Sequence, residues 1–172
     1  MRTFGGQNTL HEPGLGFPSV DQTKEDHHVK SGEQGWQADF PKHEEAEDYA
    51  GRMRSFVIDC HEGGLGFTVR AVEEGHEGMG YEFAAFSETS PYSALGRVRQ
   101  KMHHGLATRH VTGSPGDYRM LHDRLSGRIA WHRQGGVVLV VDGITLEIAD
   151  LAEILRSHEG WSFELKIVDA LE

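Results

Sequence analysis

The chain has 172 residues, 37% of them apolar, with a formal net charge of -10 and a single cysteine. That length holds one ordinary domain with or without a tail. One cysteine excludes an intramolecular disulfide framework and a multi-cysteine zinc site.

Residues 1–50 carry Arg2, Lys24, Lys30 and Lys42 against ten acidic side chains, net -6, and few aliphatics. Such a segment buries too little apolar surface to offset the roughly 1–2 kcal/mol of backbone entropy lost per ordered residue. It is expected to be an acidic, mostly disordered arm. Residues 51–172 are expected to form a single compact α+β domain, with subunits 51–110 and 127–172 joined by a connector at 111–126. The start Met1–Gly6 lacks the apolar core of a signal peptide, and no apolar run approaches the length of a membrane span. A cytosolic protein is expected.

The ordered part begins as a meander. Ser55–Cys60 is a strand candidate closed by Gly63-Gly64, and Gly66–Glu73 alternates with Phe67, Val69 and Ala71 on one face. After the glycine-rich stretch 75–80, Tyr81–Phe86 puts Tyr81, Phe83 and Ala85 on one side. Glycine turns between alternating runs predict antiparallel pairing.

A helix then opens at Ser90-Pro91, a capping side chain followed by the residue best tolerated at the first helical position. Tyr92, Leu95, Val98, Met102 and Leu106 form its apolar stripe, and Gly105 is expected to weaken or end it. The connector holds a Gly113–Gly116 turn, and a helical turn is expected around Tyr118 to Leu125.

The second unit is expected to run strand, strand, helix, strand. Arg128–His132 alternates, Gly135-Gly136 turns the chain, Val137–Val141 is an apolar run and Asp142-Gly143 turns it again. A helix from about Leu146 to His158 spaces Ile148, Leu151, Ala152 and Leu155 along one face, with Gly160 as its left-handed stop. In the final stretch Trp161, Phe163, Leu165 and Ile167 alternate with polar residues. A last strand is expected there, facing the helix.

Val140-Val141-Asp142-Gly143 followed by a Glu- and Leu-rich helix and Glu159-Gly160-Trp161-Ser162-Phe163-Glu164-Leu165-Lys166-Ile167 resembles the C-terminal signature of an uncharacterised bacterial domain family. Arg99–Met102 and Gly105–His110 resemble the same family's central helix. The resemblance spans residues 81–169 and implies a fold without supplying an activity. Three strands followed by a helix is also similar in topology to HicB-type antitoxin domains and, more distantly, to double-stranded RNA-binding domains. Fold alone does not carry function.

No cofactor is expected, because no reactive constellation stands out. His-Glu-Gly occurs at His61, His76 and His158, always at the end of an element, and no His-Glu-x-x-His is present. A metal-assisted hydrolase would have to gather His61, Glu62, His76 and Glu77 with His132 or His158. Cys60 and His61 are neighbours on a strand and so point to opposite faces, which rules out a direct nucleophile–base pair. His122-Asp123 lacks the helical bundle that a phosphohydrolase of that type needs. The glycine stretches join strand to strand and have no Gly-Lys-Ser/Thr ending.

Charge is the most suggestive feature. From Arg97 to Arg133 eight basic side chains face two acidic ones, between acidic flanks. The favoured reading is a non-catalytic protein that associates with a protein partner or with itself through its acidic arm and a basic helix face, with Arg97, Lys101, His104 and Arg109 as contact residues. The alternative is a nucleic-acid-binding or antitoxin-like module.

Overall fold

The computed structural model describes residues 35–76, 79–132 and 134–171. The contact pattern divides the chain between Ala38 and Asp39, and the body is Asp39–Glu172. Most of the expected arm, residues 1–34, lies outside the described residues.

The first layer is an antiparallel sheet of β1 (His43–Glu47), β2 (Met53–Gly63), β3 (Gly66–Glu73) and β4 (Glu82–Ser87), in that order. The three-strand meander is therefore four strands, and the extra one comes from the segment assigned to the arm. The arm boundary at residue 50 is too late. β1 reads His-Glu-Glu-Ala-Glu, yet it pairs with β2 from His43↔Val57 to Glu47↔Met53. A charged edge strand of this kind discourages further pairing along its free side.

Helix α1 (Pro91–Ala107) follows β4 and packs on this sheet. Ser90 caps it, its hydroxyl accepting the Tyr92 amide at 3.1 Å. Leu95, Val98, Met102 and Leu106 are buried on the side where α1 meets β3 and β4, and Phe56, Ile58, Val69, Ala71 and Ala85 of the sheet are buried too. Tyr92 departs from the expected stripe: it is 48% exposed and its ring lies 5.6 Å from that of Phe40. Gly105 does not end the helix. A Cβ there would lie 2.7 Å from the Phe83 ring, so the glycine lets α1 approach β4 closely.

The connector is a hairpin rather than a helical turn. β5 (Val111–Thr112) pairs with β6 (Arg119–Met120), with Gly113 at φ +104 in the loop. Sheet β7 (Arg128–Trp131), β8 (Val137–Val141), β9 (Ile144–Glu147) comes next, antiparallel in that order. Asp142 and Gly143 at the β8–β9 turn both have positive φ, 53° and 70°, the pattern of a two-residue primed turn. Helix α2 covers only Ile148–Arg156, because Leu146 belongs to β9. Val111, Tyr118, Val141, Leu146 and Ile154 form a second core cluster.

The expected order strand, strand, helix, strand is thus three strands and then a helix. The α+β class holds, with antiparallel sheets and two helices. Residues 161–169 form no strand.

Candidate interaction surface

The basic face of α1 is turned to the chain's own framework. Arg97 Nη1 donates to the Phe86 carbonyl at 2.9 Å. Lys101 Nζ donates to the Ala84 carbonyl at 2.9 Å and to the Ala170 carbonyl at 2.8 Å. Arg99 Nε donates to Glu44 Oε1 at 2.7 Å, a carboxylate supplied by β1. Arg109 donates to the Val111 carbonyl at 2.8 Å and lies over the Tyr49 ring, 5.3 Å from its centroid. His104 is exposed in the last turn of α1. Farther along the basic stretch, Arg119 pairs with Asp117 and Arg128 with Glu82. Within the cluster that looks like a polyanion site in sequence, Arg99, Arg119 and Arg128 meet carboxylates of the same chain, while Arg97, Lys101 and Arg109 are tied to backbone carbonyls.

A strongly perturbed titratable group is one the sequence did not single out. Asp48 follows β1 with its side chain fully buried. Its Oδ1 accepts the amides of Ala50 at 2.8 Å and Arg52 at 3.1 Å, and its Oδ2 accepts Arg52 Nε and Arg54 Nε, each at 3.0 Å. Burial alone would raise the carboxyl's pKa. The two amides and two guanidinium groups outweigh it and hold Asp48 well below the ordinary carboxylate range. Arg54 reaches on to Glu73 Oε1 at 2.6 Å, and Glu73 Oε2 accepts the Tyr81 amide at 3.0 Å. Each carboxylate here is committed to backbone amides or guanidinium groups that tie strand ends together. The Tyr81 hydroxyl is buried without a hydrogen-bond partner among the described residues. Burial, then the Asp142 carboxylate, pushes its pKa up. These bonds make the network a clasp between strand ends.

Asp142 is a second clasp. Buried at its turn, it accepts the amides of His110 at 2.7 Å and Val111 at 2.8 Å, fixing the β8–β9 hairpin to the start of β5.

The metal candidates do not meet. His61 pairs with Thr68 near one end of β3, whereas His76 follows Glu73 at the other end. Five residues of strand separate Thr68 from Glu73, roughly 17 Å. Glu77 lies outside the described residues. His132 accepts the Gln134 amide through Nδ1, and His158 stacks edge-on to Trp161 at 5.2 Å. Among the described residues, no group of three or more His, Cys, Asp or Glu could hold a metal ion. The Cys60 thiol is pushed up by burial and then by Asp59 and Glu62, the reverse of what an activated nucleophile needs.

Most of the exposed large apolar side chains among the described residues lie in the last third of the chain, though Met53 and Leu65 are exposed as well. Ile129 and Trp131 of β7 are exposed, as is Val137 of β8. On α2 the buried residue is Ile154, while Ile148 and Leu155 of the expected core stripe stand in solvent. Beyond α2, Trp161 is 66% exposed, Phe163 88%, Leu165 76% and Ile167 70%. Isolated exposed apolar residues are ordinary, whereas a concentration of this kind is not.

Two family models match, each over less than half of the chain. Both are domains of unknown function: DUF7686 over residues 38–107 and DUF7713 over residues 110–172. The division falls between α1 and β5, so the resemblance drawn over residues 81–169 crosses two models. The first match begins at residue 38, consistent with β1 belonging to the folded body. No curated protein and no solved structure matches. Among the described residues, no helix is long and apolar enough to cross a membrane.

Proposed function

We propose that the chain is a non-catalytic association module, and that its contact surface is the uncovered apolar set on β7, α2 and residues 161–168. The observation that carries this reading is the exposure of Trp161, Phe163, Leu165 and Ile167, four large apolar side chains at alternate positions. The reading takes the protein as bacterial, as its sequence resemblance implies, and as cytosolic, as expected from its sequence. It moves the contact away from the basic face of α1, because Arg97, Lys101 and Arg109 are already bonded to backbone carbonyls. The same bonding weakens the case for nucleic acid, since a phosphate would have to compete with them.

The test compares Phe163→Asp/Leu165→Asp with Arg97→Glu/Lys101→Glu, both checked for folding by circular dichroism. Immobilised full-length chain is used to capture purified untagged chain and proteins of the native host. Loss of capture with the first pair and retention with the second is expected. The opposite pattern restores the basic helix face as the contact.

A further inference from the structure

Residues 161–168 have the period of a strand and no strand to pair with. The Trp161 amide donates back to His158, and the end of the segment is held by Lys101 on the Ala170 carbonyl and by a short turn at Asp169. Between these points no backbone amide has a partner among the described residues. In sequence, apolar Trp161, Phe163, Leu165 and Ile167 alternate with polar Ser162, Glu164 and Lys166, so an extended strand would carry the two sets on opposite faces.

The same chain carries a matching unpaired edge. β7 pairs with β8 on one side only. The His132 amide donates to the Gly136 carbonyl, which makes 132/136 a hydrogen-bonded pair. Counting back along the register, Ala130↔Val138 and Arg128↔Val140 are hydrogen-bonded as well. Ile129 and Trp131 therefore direct their backbone amides and carbonyls outward, along the open edge. Their side chains are the exposed apolar face of β7, while Arg128 and His132 occupy the other face. A strand laid on this edge with its apolar face beside Ile129 and Trp131 brings Glu164 beside the column that holds Arg128 and His132.

We propose that residues 161–168 of one copy add as an edge strand to β7 of a second copy, and that the exchange is reciprocal. This rests on the association reading above and names its partner. A two-fold axis satisfies both unpaired elements of both chains at once, as an isologous interface requires. In the single chain, segment and edge do not pair, and Gly160 at φ +86 turns the segment away as it leaves α2. The area suffices. Two aromatics at roughly 150–250 Å² each give about 600–1,000 Å² from both tails, and the surfaces they cover bring the total near the roughly 1,200–2,000 Å² of stable interfaces.

The experiment is light scattering on the purified full chain across a dilution series, with three variants: deletion of residues 161–172, Phe163→Asp/Leu165→Asp, and Ile129→Pro. Proline at 129 removes an outward amide without breaking a bond to β8. A dimer in the full chain and at least a tenfold weaker dimer in all three variants is expected, with far-ultraviolet circular dichroism of the two substitution variants unchanged. A full chain that is monomeric overturns the proposal, whether its tail pairs in cis or stays free. A dimer that survives the three changes overturns it equally. If the full chain is monomeric yet Phe163 and Leu165 are still needed to capture a different protein, self-pairing fails and the association reading stands.

Discussion

Asp48 shows how a single residue sets the corner of the sheet. Replacing it with Asn keeps the shape but removes the charge that Arg52 and Arg54 bond to. A loss of roughly 2 kcal/mol in chemical denaturation is expected, because charge-assisted bonds to Arg52 and Arg54 are lost and Arg54 is left with Glu73 alone. The pH dependence has a definite sign. An unfolded Asp titrates near about 3.9 and folded Asp48 lower, so its contribution is complete above that value. It fades as pH falls below about 4 toward the folded pKa. Asp48→Asn should therefore lose this part of the acid-limb slope, measured as unfolding free energy against pH. Asp142→Ala strands the amides of His110 and Val111 and should cost roughly 2 kcal/mol by the same measurement. Asp48 could not be singled out in the sequence, where it looks like one more charge in an acidic segment; Asp142 was legible as a turn residue but not as the acceptor of the His110 and Val111 amides.

At the scale of elements, legibility followed the source of each element's stability. Ser90-Pro91 and the Leu95–Leu106 stripe announce α1 because a cap and a buried face are local facts. Asp142-Gly143 announces its hairpin because the turn demands two positive φ values. β1 was hidden because its stability comes from register with β2 and from Glu44 meeting Arg99, neither visible in His-Glu-Glu-Ala-Glu. Gly105 was misread as a helix stop for a similar reason: its role depends on Phe83, 22 positions away. Two glycine substitutions on α1 separate these effects. Gly96 has open space around it, so Gly96→Ala should stabilise by roughly 0.5–1 kcal/mol. Gly105→Ala should instead destabilise by about 1 kcal/mol, the collision with Phe83 outweighing the gain in helix propensity. Thermal melting of the two variants checks both signs.

For the whole molecule, the sequence suggested that charge polarity drives association, and the fold spends that polarity internally. Arg99 on Glu44, Arg128 on Glu82 and Arg54 on Asp48 and Glu73 join distant parts of one chain. The period of residues 161–168 was legible, but its partner was not, because alternation specifies a strand without saying which chain supplies the neighbour. An interface made of Trp161, Phe163, Leu165 and Ile167 should be nearly indifferent to salt, whereas one made by opposite charges weakens as the Debye length shrinks from about 10 Å to about 3 Å at 1 M. Sedimentation at low and high salt distinguishes the two, with unchanged association expected. The most direct measurement is amide hydrogen exchange across 162–169, with Ile129 and Trp131, at high and low protein concentration. Slow exchange in both segments that becomes fast together on dilution is the predicted result. Fast exchange across 162–169 at every concentration would contradict the account.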